Sequence, residues 1–270
     1  MYKLPKGMRY SSLEERKEFY EDEFNLKGVA NWLKDRKSTV FACIIGRHTK
    51  IFPEEFKRIA NDTIIIDDHK NLFDLKRKIL RFLPESVYYD RNIYDKLEIC
   101  RKCELGHKKC FDCKNFIGQE LAFDIDPENV KCPYHGDIEK KMMKKQGLSF
   151  CMFEFGIVKR QAIKLYDELK KNFSKIKLTY SGRGIHLHVL DKNAYFLRKE
   201  ERKKIADEIL KKGFAIDEWV TIGEMRLIRL PFSLHGMVSR ICIPLKFKEI
   251  ENFDPLKNKK CIPNFIYNRD

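Results

Sequence analysis

Apolar and polar side chains alternate in Glu120-Leu121-Ala122-Phe123-Asp124-Ile125-Asp126, as they do in a half-buried β-strand. The alternation places the large apolar residues on one face and Asp124 and Asp126 on the other. Side chains two residues apart on a strand lie about 6.5 to 7 Å apart at their Cα atoms, so both carboxylates can converge on one or two divalent cations. Two like charges beside an apolar strand are costly without a cation. The alternative is a solvent-exposed strand end that leads into the turn at Pro127.

Predicted strands and helices alternate on both sides of this strand. Further strands are predicted at residues 39–45, 63–66 and 240–245, with a strand pair around Ser181. Helices are predicted after the capping box at Ser12, at 29–36, at 72–83, at 158–173, and at 198–212, where Gly213 marks the end. No repeat, low-complexity block or Gly/Ser linker divides the chain. We therefore expect one α/β domain over residues 1–270.

The composition predicts a soluble, basic protein. The 270 residues include 55 Lys and Arg against 40 Asp and Glu, a net charge of +15, and 43% of them are hydrophobic. That is enough to build a core, whereas no apolar run approaches the roughly 18 residues of a membrane helix. The N-terminus lacks the apolar segment of a secretory signal, so we expect an intracellular protein whose cysteines are thiols or metal ligands.

Five of the nine cysteines lie between residues 100 and 132, which predicts a metal site. Two Cys-x2-Cys pairs joined by a short polar loop can close a tetrahedron around one structural zinc ion, in an insertion over about 98–116. The four ligands predicted there are Cys100, Cys103, Cys110 and Cys113. Buried or redox-active thiols are the alternative. A looser set, weaker because Glu is an infrequent structural zinc ligand, comprises Cys132, His135, Cys151 and Glu154. Cys43, Cys242 and Cys261 have apolar neighbours and are predicted to be core residues.

The turn Ser181-Gly182-Arg183-Gly184 has the donors of a phosphate-binding site. Glycines let the backbone approach a ligand closely, while the serine hydroxyl, the backbone N–H groups and the arginine fork can all donate to phosphate oxygens. The strand that follows places His186 and His188 on one face. An ordinary hairpin with a surface arginine is the alternative.

A third segment completes an ordered set of motifs. Asp217 lies in Ile216-Asp217-Glu218-Trp219-Val220-Thr221, and Arg229 precedes Leu230-Pro231-Phe232-Ser233-Leu234-His235. With Phe123-Asp124-Ile125-Asp126 and Ser181 to His186 in the same order, the sequence resembles the small, catalytic subunit of archaeal and eukaryotic DNA primases. The resemblance covers most of the chain, and the ordered set is specific where each single motif is not.

The resemblance implies a primase catalytic core, with mixed sheets that form a cleft flanked by helices. It implies that Asp124, Asp126 and Asp217 hold Mg²⁺ or Mn²⁺. The residues implied to contact the nucleotide are Ser181, Gly182, Arg183, His186, Arg229 and His235, the last as a protonated imidazole. The implied activity is synthesis of short RNA primers on single-stranded DNA by two-metal nucleotidyl transfer from NTPs, with use of dNTPs left open.

Other implications concern zinc, partners and location. In the family a zinc motif usually follows the aspartate pair, as the looser set does here, so either cysteine set can be the zinc site. Met237 stands where archaeal members often have lysine, so a phosphate contact is lost or supplied by Arg240. A primase large subunit is the implied partner, and the location is cytoplasmic in an archaeon or nuclear in a eukaryote, without a membrane.

Three alternatives remain open at the level of the sequence. A repair or plasmid-type primase-polymerase shares the same core but prefers dNTPs and extends existing ends. A metal-dependent nuclease also uses aspartates and histidines, although Arg183 and Arg229 suit a triphosphate better. A noncatalytic zinc-dependent nucleic-acid-binding protein accounts for the charge and the cysteines, but it leaves the three aspartates without a role.

Overall fold

The structure is a computed structural model that describes residues 4–36, 39–96, 98–99, 111, 113–143 and 150–267. The strands are β1 (Phe41–Ile44), β2 (Thr63–Ile66), β3 (Ser86–Asp90), β4 (Asn92–Tyr94), β5 (Phe116–Gln119), β6 (Leu121–Ile125), β7 (Ile176–Tyr180), β8 (Ile185–Val189), β9 (Leu227–Arg229), β10 (Leu234–His235), β11 (Arg240–Ile241) and β12 (Ile243–Leu245). The helices are α1 (Leu13–Glu18), α2 (Leu26–Leu33), α3 (Leu72–Phe82), α4 (Ile138–Met143), α5 (Met152–Leu169), α6 (Lys192–Tyr195), α7 (Lys199–Lys211), α8 (Glu218–Ile222) and α9 (Asn264–Tyr267). A π-helical turn, Phe19–Glu23, extends α1.

Two four-stranded sheets form the framework. The first has the strand order β2-β1-β3-β9 and the second the order β12-β7-β8-β6. All pairings between the described strands of these sheets are antiparallel. The sheets are therefore antiparallel rather than of mixed direction, because tight turns such as the one between β7 and β8 can join only antiparallel neighbours.

The helix boundaries follow local capping chemistry. Ser12 forms the predicted capping box with Glu15 at the start of α1, and Asn25 caps α2, which begins at Leu26, three residues before the predicted start. The last turn of α7 is followed by Gly213, which has the predicted left-handed conformation with φ +85°. Helix α5 begins at Met152, six residues earlier than predicted, because Cys151 and Glu154 form a capping box there.

The second sheet separates an apolar face from a polar one. On the apolar face, the Phe155 ring of α5 packs 5.7 Å from the ring of Tyr180, which lies opposite Ile185. On the other face, Asp124 lies opposite His186. The Tyr89 hydroxyl of the first sheet donates to Glu120, next to β6, so this polar face is turned toward the first sheet.

The predicted core cysteines are confirmed, since Cys43, Cys242 and Cys261 are fully buried. No helix in the described ranges is long and apolar enough to cross a membrane.

Candidate active site

A cleft of about 310 Å³ lies between the polar face of the second sheet and the first sheet. It brings together nearly all of the residues expected to act on a nucleotide. Those that line it are Asp124, Asp126, Ser181, Arg183, His186, Asp217, Arg229 and His235. Gly182 does not line the cleft but lies in the turn between two of them. Residues separated by more than 100 positions in sequence therefore share one surface.

The three aspartates come from two neighbouring elements. Asp124 lies on β6, and Asp126 directly follows that strand. Asp217 caps the N-terminus of α8, where its Oδ1 accepts the backbone N–H of Trp219 at 3.0 Å. The backbone N–H of Asp217 donates to the carbonyl of Asp124 at 2.9 Å, which fixes the third carboxylate beside the first.

The electrostatics of the three aspartates suit a divalent cation. Burial, together with the charges of Asp126 and Asp217, raises the pKa of Asp124 well above its usual value. Burial also raises the pKa of Asp217. Within the described ranges, Oδ1 of Asp124 and Oδ1 of Asp126 are buried without a hydrogen-bond partner. Crowded carboxylate oxygens that lack donors are the ligands that Mg²⁺ and Mn²⁺ prefer, so these residues fit the expected metal site.

The turn between β7 and β8 is built for close approach. The Ser181 hydroxyl oxygen accepts the backbone N–H of Gly184 at 2.9 Å. Gly182 has φ +103°, and a Cβ placed there would lie 2.5 Å from Cβ of His235. A Cβ on Gly184 would lie 2.1 Å from Asp126 Oδ1. Both glycines are therefore required by packing against residues of the cleft.

Two carboxylates lie beside the guanidinium of Arg183. Its guanidinium forms a short ion pair with Glu128 and lies 3.7 Å from Asp126 Oδ2. Burial and the nearby charge of Asp126 raise the pKa of Glu128 to about 7, against the opposing effect of Arg183. Glu128 was not predicted as a site residue, although its position two residues after the aspartate pair indicated that it lies near the site.

Arg229 lies on the opposite wall of the cleft. One of its nitrogens donates to the Tyr88 hydroxyl at 2.9 Å, and its guanidinium carbon lies 4.7 Å from the centre of the Tyr88 ring. Its Nη1 is buried without a hydrogen-bond partner among the described residues. Arg229 therefore keeps a donor that is free to bind an anion. The sequence did not identify Tyr88 as its support.

Burial lowers the pKa of both histidines that line the cleft. Burial and the positive charge of Arg229 lower the pKa of His235 well below its usual value. Burial and the neighbouring His188 do the same for His186, whose Nε2 lies 3.3 Å from Asp124 Oδ1. The expected protonated state of His235 stays a prediction, and the buried site that the imidazole shares with arginines opposes it.

Arg240 does not replace the missing lysine. Its guanidinium is buried and donates to the backbone carbonyls of Gly7, Ser239 and Pro255. Met237 does line the cleft, with 5% of its surface exposed. The phosphate contact that a lysine would make at this position is therefore not supplied by Arg240, which anchors backbone segments instead.

A buried polar network lies beneath the cleft and joins the two sheets. Glu120 accepts from Arg36 at 2.7 Å, from the Tyr89 hydroxyl at 3.0 Å and from His188 Nδ1 at 2.7 Å. The other ring nitrogen of His188 lies 3.1 Å from the Thr179 hydroxyl. These hydrogen bonds, with Arg36 foremost among the charges, lower the pKa of Glu120 to about 2 despite burial. The sequence placed His188 on this face but gave no partner for it.

The weaker of the two predicted zinc sets is assembled in the structure. One ligand atom from each of Cys132, His135, Cys151 and Glu154 lies within 4.8 Å of all the others. Cys132 and Gly136 exchange backbone hydrogen bonds of 2.8 and 2.7 Å, which bends the chain so that His135 faces Cys132. Burial, with Glu154 and Cys132 nearby, raises the pKa of the Cys151 thiol to about 11. This donor set fits zinc.

The stronger predicted set is not tested. Cys100, Cys103 and Cys110 lie outside the described residues, and Cys113 is a free, half-buried cysteine. The sequence ranked this set first on spacing alone.

Comparisons with known proteins agree with the motifs. No protein-family model matches the chain. It is 52% identical over 267 residues to an "Uncharacterized DNA primase small subunit-like protein" of Archaeoglobus fulgidus, covering 98% of this chain and 94% of that one. It is 26% identical to the DNA primase small subunit PriS of Pyrobaculum calidifontis, over 67% of this chain and 66% of that one. It is also 26% identical to the DNA primase small subunit PriS of Pyrococcus abyssi, over 73% of this chain and 49% of that one.

Among solved structures, the polymerase domain of Mycobacterium tuberculosis ligase D, in complex with DNA, matches with 13% identity and a TM-score of 0.47. The match covers 95% of this chain and 86% of that one, but a likeness at this level carries no argument. The Archaeoglobus relative is similar over almost the full length of both chains. The chain therefore belongs to the family of DNA primase small subunits and small subunit-like proteins.

Proposed function

We propose that this chain is the catalytic subunit of a primase, which synthesises short RNA primers on single-stranded DNA from NTPs. The observation that carries the proposal is the arrangement of one cleft, in which three carboxylates share a surface with two buried arginines, Arg183 beside Asp126 and Arg229 on the opposite wall. A nucleoside triphosphate with its divalent cations needs both kinds of partner at once. A nuclease site does not explain the arginines, and a noncatalytic binding protein does not explain the carboxylates.

The proposed ligands of the catalytic cations are Asp124, Asp126 and Asp217. Bound Mg²⁺ or Mn²⁺ would lower the pKa of the attacking 3′-hydroxyl and offset the charge on the leaving pyrophosphate. No side chain is needed as a dedicated base.

The remaining residues bind and orient the triphosphate. Arg183 and the free nitrogen of Arg229 would donate to β- and γ-phosphate oxygens, which favours the charge that develops in the transition state. Arg183 would have to leave Glu128 to do so. Because its pKa is lowered, His235 would donate a hydrogen bond to the triphosphate without adding a positive charge. His186 Nε2 lies 3.3 Å from Asp124 Oδ1, so the imidazole would flank the carboxylate that holds the cation.

Further parts of the proposal concern metal, domain and partner. The set Cys132, His135, Cys151 and Glu154 is proposed to hold a structural zinc ion, and the Cys100 to Cys113 set is a second proposed zinc site. Residues 1–270 are proposed to be a single domain. The net charge of +15 suits a single-stranded template. A primase large subunit is the proposed protein partner.

The test is nucleotide incorporation on a single-stranded DNA template, with and without an annealed primer, using NTPs or dNTPs with Mg²⁺ or Mn²⁺. We expect unprimed synthesis from NTPs, lost when Asp124→Ala and Asp126→Ala are combined. Asp207→Ala, a carboxylate removed from α7 outside the cleft, is the control. Product formation by the double variant at the rate of the wild type contradicts the proposal. Extension of primers with dNTPs alone identifies a repair-type polymerase instead.

A further inference from the structure

The turn from Asp217 to Met225 presents two large apolar side chains to solvent at the rim of the cleft. Trp219 is 53% exposed and Met225 is 51% exposed, whereas Val220 and Ile222 between them are buried. Met225 also lines the cleft. Leaving an indole half in water forgoes a large part of the free energy that its burial would contribute. Exposed apolar side chains that cluster beside a site are typical of a binding surface.

Buried side chains hold the backbone of this turn in place. The Arg91 guanidinium is fully buried and donates to the carbonyls of Val220 and Met225, both at 2.6 Å. The side-chain amide of Gln119 donates to the carbonyl of Gly223 at 3.0 Å. A turn anchored by three such bonds cannot easily fold its exposed side chains inward. The exposed position of the indole is therefore built into the fold.

The same turn ties the indole to the candidate metal ligands. The backbone N–H of Trp219 donates to Asp217 Oδ1 at 3.0 Å, and the N–H of Met225 donates to the carbonyl of Trp219 at 3.0 Å. Asp217 is bonded in turn to the carbonyl of Asp124 at 2.9 Å. These hydrogen bonds hold the backbone of Trp219 beside the carboxylates, so a ring that stacks on the indole would lie near them.

The local charge shows which part of a nucleic acid this rim suits. Asp217 and Glu218 precede Trp219 directly in the chain, and their negative charges disfavour contact of the indole with phosphates, whereas Glu224 pairs with Lys199. A nucleobase face carries no net charge and stacks on aromatic rings independently of sequence. Val220 and Leu227 continue the apolar surface into the cleft, whereas the arginines lie elsewhere in its wall.

We propose that Trp219, flanked by Met225, is a stacking platform for a nucleobase of an unpaired strand that enters the cleft beside Asp217. This inference rests on the proposed function and names how the same site takes its nucleic acid. The base can come from the template or from the end of the growing strand, and both present the same π-face.

The experiment measures binding rather than synthesis. A fluorescein-labelled oligothymidylate and a primer–template with a recessed 3′ end are titrated with the wild-type chain in Mg²⁺, and anisotropy gives the affinity. Trp219→Ala should weaken binding about tenfold, the scale of one base–aromatic stack, and Trp219→Phe should weaken it less. Phe73→Ala, which truncates a 73% exposed aromatic residue on α3, is the matched control and should bind as the wild type. If Trp219→Ala weakens binding of the single strand, the stacked base belongs to the template. If it weakens binding of the recessed 3′ end alone, the stacked base belongs to the growing strand.

Intrinsic fluorescence gives a second readout. The chain has two tryptophans, so quenching on binding should be present in the wild type and absent in Trp219→Ala, where Trp32 remains. Affinity of Trp219→Ala within twofold of the wild type, or quenching that persists in it, overturns the inference while leaving the proposed function intact if synthesis continues. A wild-type chain that neither binds either DNA nor incorporates nucleotides overturns both.

Discussion

Gly184→Ala should inactivate the cleft without unfolding the protein. The new Cβ would lie 2.1 Å from Asp126 Oδ1 and 2.5 Å from the carbonyl oxygen of Ile125. Real Cβ atoms essentially never approach a neighbour within 3.0 Å. The aspartate or the turn must therefore move by about 1 Å, and a misplacement of that size in a catalytic group costs roughly 100-fold in rate.

The stability cost of the same substitution is modest. Overpacking by one methyl group costs about 1–3 kcal/mol, because part of the strain is relieved by movement of the aspartate. Gly213→Ala is the matched control, since this glycine has φ +85° but nothing within 4 Å of its added Cβ. Alanine in this left-handed conformation should lower the free energy of unfolding by about 1–2 kcal/mol, and its side chain does not contact the cleft.

The assay combines urea unfolding with nucleotide incorporation at a temperature where both variants are folded. The expected result is a similar loss of stability in the two variants and a loss of activity in Gly184→Ala alone, about 100-fold. On this reasoning, catalysis requires Asp126 to stay packed against the turn. Wild-type activity in Gly184→Ala, or an equal loss of activity in Gly213→Ala, would refute it.

Three further outcomes are expected. Glu120→Gln should lower the free energy of unfolding by about 3–5 kcal/mol, because it leaves the buried Arg36 guanidinium without its carboxylate, whereas Asp74→Asn, which breaks a pair with the exposed Arg77, should have a much smaller effect. Hydrogen bonds from His48 and Thr49 outweigh burial and lower the pKa of Glu85 from 4.5 to about 2. The contribution of this carboxylate to the free energy of unfolding of the wild type should therefore fall by about 3 kcal/mol as pH falls from 5 to 2. Glu85→Gln should lack this loss when the free energy of unfolding is measured across the same pH range. Zinc content measured by atomic emission should fall by one ion per chain in Cys132→Ser.

Much of the candidate site could be predicted because its residues obey short-range rules. The period of two along β6 and β8 put Asp124 and His186 on one face, and the structure places them directly opposite each other. The glycines of the turn predicted close approach to a ligand, which stays a prediction, and in the structure the missing side chain of Gly184 leaves room for Asp126 and the carbonyl of Ile125. Periodicity and turn chemistry act within a few residues, so one sequence suffices to read them.

The partners of those residues could not be predicted, because they meet through tertiary packing. The pairing of Arg183 with Glu128 spans 55 positions, and that of Arg36 with Glu120 spans 84. Each charged residue alone is compatible with an exposed position. The lowered pKa of His235 was not predicted for the same reason, since it depends on burial and on arginines brought in by other elements.

The two cysteine sets illustrate the limits of spacing as evidence. Cys-x2-Cys spacing ranks a set by the geometry of a single turn, whereas Cys132 and Cys151 are joined by packing across α4. Lys141 of α4 is fully buried, lies 3.0 Å from Glu154 and donates to the carbonyls of Pro127 and Val130. The helix thereby links the proposed zinc site to the segment that follows the aspartates, which no spacing rule contains.

The charges of the cleft explain why metal and nucleotide should bind cooperatively on the proposed function. Without ligands, like charges crowd on each side: Asp217 helps to raise the pKa of Asp124, and Arg229 helps to lower that of His235. Arg183 partly bridges the two groups through Glu128. A divalent cation held by the aspartates would offset the charge of Asp126, which lies 3.7 Å from Arg183, and would leave that guanidinium more available to phosphate. By linkage, the nucleotide would then raise the affinity for the cation by the same factor. On the proposed function, the cleft would be complementary to the metal–nucleotide pair rather than to either component alone.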